Sequence, residues 1–470
     1  MKKEGVDINN EEEVKKFHDK EKAITIEGIR EIFFKYCPNG TIYFNTGGAE
    51  INLPQWHDYN THFELEDLPT VWGGYDKLPI RAKYFGGTGK DYLAMTGKFH
   101  CCWGEFGGFK TTDALKFEVS SMLTWGSKCS IGDQMHPLGT MDLQTYKNIG
   151  EAYSYAEKIE DYCFGVKETS KLAVMVNTNA KVNEGIAKLL LDCHFDFDII
   201  HQNTNLNKYE VILIPDNYYL NETDAKRIQE FVDNKGKLLI LGGGALREDK
   251  SQFAINIGLE YLGKSEFDKD YIKIESILDS PLLCYSSAHK VKGNGEILAT
   301  VFEPYFKRTY KHYCSHSNTP NKAETANYPG CIKVNNVIYI AHELASNYFD
   351  FGNIYQRRYF EKIVNLLYTD KNIVASNLQP TARIRFVEQE KKHCYCAHFL
   401  YAPPIQRGSV AIIDDLPPLY NIETEVKVDK PIKSVKLMPQ NENLAFEQEN
   451  NKVSFTVEKF TSHQLVVLEY

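Results

Sequence analysis

The chain has 470 residues, of which 43% are apolar, 13% are aromatic and 25% are charged. This length predicts roughly two to four domains, and the apolar fraction is sufficient for ordinary packed cores. The formal net charge of −9 is spread along the chain, which argues against a nucleic acid or an anionic membrane as a partner. Small neutral or weakly charged substrates fit this composition better.

The targeting and cysteine patterns indicate a reducing, cytoplasmic compartment. The N-terminal segment has no apolar run of the length that a signal peptide needs, and no later run is long enough to span a membrane. The 11 cysteines are odd in number and lack paired spacing, which suits free thiols. Cys394 and Cys396 have no second cysteine pair, so a zinc ribbon is not indicated. Neither a cofactor nor a metal is predicted.

The first third of the chain alternates between predicted helices and strands. A helix over 11–36 stops at Pro38-Asn39-Gly40, and four strand-helix units are predicted after it. The predicted strands are 41–46, 61–69, 91–97 and 128–134, and the predicted helices are 77–86, 111–125 and 142–160. This alternation is typical of a parallel sheet.

A (β/α)8 barrel needs about 250 residues, and its chemistry lies at the carboxyl ends of its strands. Only about 165 residues precede the next predicted domain. We therefore expect residues 1–165 to form the C-terminal half of such a barrel, so that the chain begins in mid-barrel.

Two further domains are predicted. Residues 166–370 restart the strand-helix pattern and predict an open doubly wound α/β domain with an irregular insert within 281–342. From about residue 372 onward, alternating strand patterns separated by turns predict a small antiparallel β-sandwich over 371–470.

The segment THFELEDLP carries the main candidate for catalysis. Strand alternation places His62, Glu64 and Glu66 on one side and Phe63 and Leu65 on the other. In a barrel the polar side faces the axis, and Glu66 reaches the mouth, where a general acid must lie. Neighbouring carboxyl groups let a glycosidase keep one protonated and one ionised. The alternative is a polar edge strand with solvated glutamates.

Two later segments add candidates at strand ends. In FHCCWGEFGG we single out His100, Trp103 and Glu105, because Trp103 could stack on a sugar ring. The alternative is a loop tryptophan that packs on the core beside a solvent-facing glutamate. In SIGDQMHP, Asp133 and His136 lie together, and Asp133 could act as a nucleophile, hold a substrate hydroxyl or cap its own turn.

Weaker candidates lie elsewhere. Asn45 lies at the end of a predicted strand, and Trp72 lies in the loop that follows another. In PYFKRTYKHYCSH, alternation puts His312, Cys314 and His316 on one side, which is a partial set of zinc ligands without a fourth. The alternative is an aromatic, basic loop that reaches a sugar pocket, through His316, or a subunit interface.

Three long segments carry a resemblance to one family. Glycoside hydrolases related to α-L-fucosidases, and more distantly to barrel β-galactosidases with a trimerisation domain, have signatures similar to ELEDLPTVWGGYDKLPIRAKYFGGTGKDYLAMTGKFHCCWGEFGGFK, SIGDQMHPLGTMDLQTY and PYFKRTYKHYCSHSNTP. The resemblance covers essentially the whole chain. It implies an eight-strand catalytic barrel, a flavodoxin-like domain similar to class I glutamine amidotransferases, and a C-terminal β-sandwich. Gly242-Gly243-Gly244 stands where an amidotransferase would carry its cysteine, so that activity is not expected.

The resemblance also implies a function. It implies a retaining, α-L-fucosidase-like hydrolase that uses Glu66, or else Glu64, as its acid/base. The sugar-binding residues that it implies are His62, His100, Trp103, Asp133 and His136. Its nucleophile is expected on a strand that no residue here matches, so a separate chain could supply that half of the barrel. The implied partners are an oligosaccharide or glycoside and copies of the chain in a trimer or hexamer. A β-galactosidase-like enzyme and a non-catalytic oligomeric or carbohydrate-binding remnant are the alternatives.

Overall fold

The computed structural model describes residue 1, residues 4–45 and residues 47–470. The α-helices of these residues are Glu11–Tyr36 (α1), Leu78–Gly86 (α2), Thr112–Thr124 (α3), Leu143–Ala156 (α4), Ala180–Asp192 (α5), Glu222–Asp233 (α6), Leu344–Phe351 (α7) and Ile354–Leu367 (α8). Asparagine, aspartate or threonine side chains cap the first turns of α1, α3, α4, α5, α6 and α8, as helix N-termini require. None of the described helices has the length and apolar character that crossing a bilayer would require.

A three-stranded parallel sheet forms the first part of the structure. Its strands are Phe63–Glu66 (β1), Tyr92–Gly97 (β2) and Lys128–Gly132 (β3), paired in that order. The helices α2, α3 and α4 follow the three strands in turn. Phe63, Leu65 and Ala94 are buried in a core that also contains Phe85 of α2 and Trp125. The sheet therefore buries one face against its own helices and leaves the other partly open.

The predicted strand over 41–46 is wrong for residues 41–45, which form no strand; Thr46 lies outside the described residues. The amide of Ile42 donates to Thr61 Oγ1 at 2.8 Å, and the amide of Phe44 donates to Asn60 Oδ1 at 2.8 Å. Because side chains satisfy these amides, the segment does not join the sheet through a backbone ladder. The described sheet consequently has three strands where four were predicted.

The middle of the chain builds a nine-stranded mixed sheet. The strands that follow β3 are Lys167–Glu168 (β4), Leu172–Val174 (β5), Asp198–Ile199 (β6), Val211–Ile214 (β7), Lys237–Leu241 (β8), Leu259–Lys264 (β9), Asp270–Lys273 (β10), Leu282–Cys284 (β11), His289–Gly293 (β12), Glu296–Phe302 (β13), Pro329–Val334 (β14) and Val337–Ile340 (β15). The sheet order is β11-β10-β13-β14-β15-β8-β7-β5-β6. Strands β15, β8, β7, β5 and β6 are parallel, and the other four are antiparallel. Strands β9 and β12 pair separately.

The last part of the chain forms two larger antiparallel sheets and a hairpin. The strands are Ile373–Ser376 (β16), Arg383–Gln389 (β17), Cys394–Tyr401 (β18), Ile405–Arg407 (β19), Val410–Ile412 (β20), Leu419–Lys427 (β21), Ser434–Met438 (β22), Glu442–Leu444 (β23), Phe446–Glu449 (β24), Lys452–Phe460 (β25) and Ser462–Glu469 (β26). One sheet has the order β16-β21-β25-β24, the other has the order β23-β22-β26-β18-β17-β4, and β19 pairs with β20.

The central strands of the six-stranded sheet are buried on both faces. Phe386 and Phe399 pack toward the four-stranded sheet and share a core with Phe455. Cys396 and Val467 point the other way and share a core with residues of α3 and α4. Strands β17 and β18 are consequently buried along their whole length, and the C-terminal sheets are packed directly on the N-terminal helices.

A network of buried charges joins the three parts of the chain. Lys83 on α2 lies 3.0 Å from Glu168 Oε2 and 3.0 Å from Asp196 Oδ1. Arg385 on β17 pairs with Glu168 and donates to the carbonyl of Thr124 at 2.6 Å. Burial opposes ionisation of Glu168, but the charges of Arg385 and Lys83 outweigh it and lower the pKa of this carboxyl.

Removing one partner of this network should strongly destabilise the protein. We expect Glu168→Gln to lower the free energy of unfolding by about 3–5 kcal/mol, because Lys83 and Arg385 would be left buried without full compensation. Glu390→Gln is the matched control: Glu390 pairs with Lys167 at the surface, where the loss should stay below about 1 kcal/mol. Urea unfolding measures both, and equal effects would contradict the role of the network.

A second buried polar contact lies where α4 meets the six-stranded sheet. His398 Nδ1 is 3.1 Å from His463 Nε2, and the hydroxyl of Tyr155 is 2.7 Å from His463 Nδ1. Burial lowers the pKa of His463 to about 3. Burial and the charges of His463 and Arg385 hold the pKa of His398 well below its ordinary value. Both imidazoles are therefore neutral in the folded protein.

This contact predicts a loss of stability in mild acid. The unfolded chain binds protons at these histidines below about pH 6.5, while the folded chain does not, so stability falls as the pH drops from 6.5. Each histidine contributes up to about 1.4 kcal/mol per pH unit to this loss of unfolding free energy. Urea unfolding at several pH values should show a shallower decline for His463→Gln than for the unsubstituted protein. The exposed His18 supplies a control, and a decline in His463→Gln as steep as in His18→Gln would contradict the assignment.

Candidate functional site

The polar face of β1 is organised as the alternation predicts. Phe63 and Leu65 are 1% and 0% exposed, and Glu64 and Glu66 are half-buried on the opposite face. His62 continues this face, with its Nε2 atom 3.1 Å from Glu64 Oε1. The strand thus presents one imidazole and two carboxylates on the open side of the parallel sheet.

Glu66 is held from two directions. The side-chain amide of Asn45 donates to Glu66 Oε1 at 2.9 Å, so the structure brings these two predicted site residues together. Arg81 on α2 donates to the carbonyl of Glu66 at 2.7 Å and to the carbonyl of Ala49 at 3.0 Å. Arg81 is buried and fixes the end of β1 against the segment around Ala49. The carboxyl group is consequently positioned while its Oε2 atom has no described hydrogen-bond partner in the protein.

Two stacked tryptophans lie on the same face of the sheet. In the parallel register, Glu66 is paired with Met95, and Gly97, two residues beyond Met95, is paired with Gly132. A Cβ atom on Gly97 would lie 3.2 Å from the Trp103 ring, and one on Gly132 would lie 2.8 Å from it. The ring of Trp103 therefore covers both glycines. Trp72 stacks on Trp103 with ring centroids 5.8 Å apart and planes 20° apart.

Glu105 organises its own loop. Its Oε1 atom accepts hydrogen bonds from the backbone amides of His100 and Cys101, each at 2.6 Å. These hydrogen bonds lower the pKa of the Glu105 carboxyl, and the bond from the amide of Cys101 has the largest effect. The side chain of Gln134 donates to the carbonyl of Glu105 at 3.1 Å and links this loop to the next strand end. The structure therefore shows Glu105 as the residue that shapes the loop around His100 and Trp103.

Asp133 and His136 lie at the end of β3. Asp133 Oδ1 accepts the amide of Gln134 at 2.8 Å and lies 3.8 Å from Lys98 Nζ. His136 is exposed, accepts the amide of Leu138 through Nδ1 at 3.2 Å and meets the ring of Phe106 edge-on. Asp133 thus bonds to the next residue of the chain and faces a buried lysine, and the three roles named for it stay predictions.

Asp67 was not singled out in the sequence. It follows Glu66 directly and is buried, and its Oδ1 atom has no described hydrogen-bond partner. Burial raises the pKa of Asp67 to about 6, against the opposing charges of Arg81 and Lys77. The signal in the sequence was its place directly after the strand ELE, at the carboxyl end where barrel chemistry lies.

His316 lies in a different part of the protein. It is exposed in the insert between β13 and β14, and no described hydrogen bond, ion pair or ring contact joins it to the face around Glu66. His312 stacks on Phe306 at 3.7 Å, and the thiol of Cys314 contacts the carbonyl of Asn318. The three alternating side chains therefore do not form a ligand cluster.

A different trio brings potential metal ligands together. Within the described chain, Asp270, Cys284 and His342 place one ligand atom each within 4.8 Å of one another, and all three are buried. His342 Nε2 already pairs with Asp270. Burial opposes protonation of His342, but the charges of Asp270 and Cys284 and the hydrogen bonds to both together raise its pKa well above the ordinary value. We interpret the group as a buried ion pair of the nine-stranded sheet.

Comparison with known proteins relates the chain to glycoside hydrolases. The family described as the β-galactosidase trimerisation domain matches residues 187–251. Comparison with curated protein sequences gave no match. Among solved structures, α-L-fucosidase isoenzyme 2 from Paenibacillus thiaminolyticus is similar, with a TM-score of 0.93 and 30% identity over 100% of this chain and 74% of that one.

Two β-galactosidases share the fold at lower identity. The enzyme from Bacillus circulans sp. alkalophilus has a TM-score of 0.58 and 10% identity over 89% of this chain. The cold-adapted enzyme from Rahnella sp. R3 has a TM-score of 0.58 and 11% identity over 88% of this chain. The chain spans 62% and 61% of these two proteins.

The contact between Trp103 and Gly132 yields a direct test of the stacked pair. Gly132→Ala should displace the Trp103 ring, because the added Cβ would lie 2.8 Å from its Cη2 and Cζ2 atoms. We expect a changed near-ultraviolet circular dichroism spectrum and a loss of about 1–3 kcal/mol of stability. Gly150→Ala in α4 is the control, since a Cβ there meets nothing within 4 Å and should stabilise by about 0.5–1 kcal/mol. An unchanged spectrum in Gly132→Ala would refute the packing.

Proposed function

Because the chain belongs to the glycoside hydrolase family that includes the Paenibacillus thiaminolyticus α-L-fucosidase isoenzyme 2, we propose that it takes part in hydrolysis of an α-L-fucoside with retention of configuration. The observation that carries this proposal is the placement of Glu66. Its carboxyl group is fixed by Asn45 and lies on the same sheet face as the stacked Trp72 and Trp103. A positioned acid beside an aromatic platform is what cleavage of a glycosidic bond requires.

We assign Glu66 as the general acid/base. In the first step its protonated Oε2 gives a proton to the glycosidic oxygen as the bond to the sugar breaks. In the second step the carboxylate takes a proton from the water that attacks the glycosyl intermediate. The hydrogen bond from Asn45 to Oε1 stabilises the carboxylate between the two steps.

The second carboxylate that the mechanism requires is the nucleophile. Glu64 pairs with His62, and Asp133 accepts the amide of Gln134 and lies near Lys98. A retaining enzyme needs its nucleophile about 5–5.5 Å from the acid, whereas β1 and β3 are two strand spacings apart, about 10 Å. We therefore propose that Asp133 and Glu64 bind the substrate and that the nucleophile belongs to a strand outside β1–β3, as the resemblance implies.

The sugar would lie on the tryptophan pair. We propose that the half-buried pair of Trp72 and Trp103 takes the apolar side of the sugar on its solvent-facing part. We assign contacts with the sugar hydroxyls to His62, His100 and His136, which are half-buried or exposed near the same strand ends. This combination of an aromatic face and polar groups is common in ligand sites.

The same resemblance supports the domain arrangement that we propose. Residues 1–165 would belong to a (β/α)8 barrel, residues 166–370 would form a flavodoxin-like trimerisation domain, and residues 371–470 would form a β-sandwich. The match to the trimerisation domain over 187–251 supports assembly of several copies of the chain, as a trimer or hexamer.

A β-galactosidase-like activity is the second candidate. The same match to the trimerisation domain favours it, since the name of that domain comes from β-galactosidases, and the two β-galactosidase structures share the fold. The two candidates differ in the sugar that is recognised and not in the proposed acid/base.

Hydrolysis of nitrophenyl glycosides tests the proposal. We expect the purified chain, combined with a polypeptide that supplies the first half of the barrel, to release nitrophenol from the α-L-fucoside. We expect Glu66→Gln to lower the rate by about 10²–10⁴-fold, because it can neither donate the proton nor take one from the attacking water. The exposed Glu296 supplies the control, and Glu296→Gln should keep the full rate.

Three outcomes would overturn parts of this proposal. Hydrolysis of the β-D-galactoside alone would favour the second candidate. A full rate in Glu66→Gln would remove Glu66 from the chemistry. No hydrolysis of either substrate, even with the first half of the barrel supplied, would favour a non-catalytic carbohydrate-binding protein.

A further inference from the structure

A second site is suggested by the topology of the nine-stranded sheet. From β5 the chain passes to β6 on one side and then returns to β7 on the other side of β5. The strand order therefore reverses between β5 and β7. In open α/β sheets, ligands bind in the crevice outside the carboxyl ends of the strands at such a reversal.

A cavity of 590 Å³ lies at this point. Asn177 follows β5, and Asn217 and Tyr219 follow β7, so both strand ends contribute to its wall. Tyr84 of α2 and Pro54 close it from the N-terminal part of the chain. Its volume falls within the range of about 300–1,000 Å³ that is typical of small-molecule sites.

The polar groups at the strand ends are held in place. The side chain of Asn177 donates to the carbonyl of Asp216 at 3.3 Å and accepts the amide of Asn179 at 2.6 Å. Asn217 has a φ of 53°, a left-handed conformation that asparagine tolerates better than most residues. Its Oδ1 atom lies 3.4 Å from the hydroxyl of Tyr219. The crevice therefore has a preformed polar wall.

The lining also indicates the class of ligand. Amides, hydroxyls and tyrosine rings predominate, and Glu248 is the one charged side chain among the described residues that line the cavity. No lysine or arginine is among these lining residues, and Lys250, the nearby cation, lies over the Tyr219 ring at 5.1 Å from its centroid. Hydroxyl groups can bond to the amides and the carboxylate, and an apolar ring face can pack on tyrosine.

We propose that this crevice is a second binding site that takes a neutral saccharide of one or two rings. It is formed by different residues from the face around Glu66, so its occupancy does not depend on catalysis there. Tyr219 supplies a ring for packing, and Asn177 and Asn217 supply the amides for the hydroxyl groups.

Ligand-observed NMR and calorimetry on the full chain test the site, with L-fucose, D-galactose and lactose as probes. Thr178 is an exposed lining residue, and Thr178→Trp would fill the crevice. We expect this variant and Tyr219→Ala to weaken binding of at least one probe by about tenfold or more. Tyr219→Phe keeps the ring and should retain most of the affinity. Thermal unfolding of each variant checks that the fold is kept.

The site around Glu66 provides the discriminating control. Trp103→Ala should leave this binding event in place, and Thr178→Trp should leave nitrophenyl glycoside hydrolysis unchanged, so the two proposals can fail separately. The inference is overturned if no probe binds to Trp103→Ala, or if Thr178→Trp binds every probe as the unsubstituted chain does. Displacement of the probes by adenosine monophosphate would also overturn it, because an anion would then be the ligand.

Discussion

The buried charges of Lys83, Glu168, Asp196 and Arg385 are the interaction on which the rest of the structure depends. One member comes from α2, one from β4, one from the loop before β6 and one from β17, so the network ties all three parts of the chain to one point. Buried ions are tolerated only when each has partners. The docked arrangement is therefore the one in which these four side chains meet and compensate one another.

This docking places the candidate site on a rigid support. The six-stranded sheet packs with one face on the four-stranded sheet and with the other on α3 and α4. Those helices flank β3 in the chain, and α2 carries both Lys83 of the network and Arg81, which holds the carbonyl of Glu66. The geometry at the end of β1 is thus set by the same packing that joins the first and last parts of the chain.

Much of the fold could be read from hydrophobic periodicity. The helices α1, α2, α3 and α4 lie within a few residues of their predicted bounds, because apolar periodicity and start or stop signals mark them. The predicted strand over 41–46 is wrong for residues 41–45 because a short apolar run does not determine which groups accept hydrogen bonds from its backbone amides. Here the side chains of Thr61 and Asn60 accept them. Helix α7 and strand β4 are too short for hydrophobic periodicity to predict them.

By itself the sequence determined the alternation of β1, which puts His62, Glu64 and Glu66 on one face, and the concentration of polar and aromatic residues at three strand ends. Only the tertiary structure decided what those residues do. It bonded Asn45 to Glu66, laid Trp103 over Gly97 and Gly132, turned Glu105 toward its own loop and kept His316 away from this face. The physical reason is that alternation is a property of the local backbone, whereas hydrogen bonds between segments far apart in the chain depend on how the segments pack.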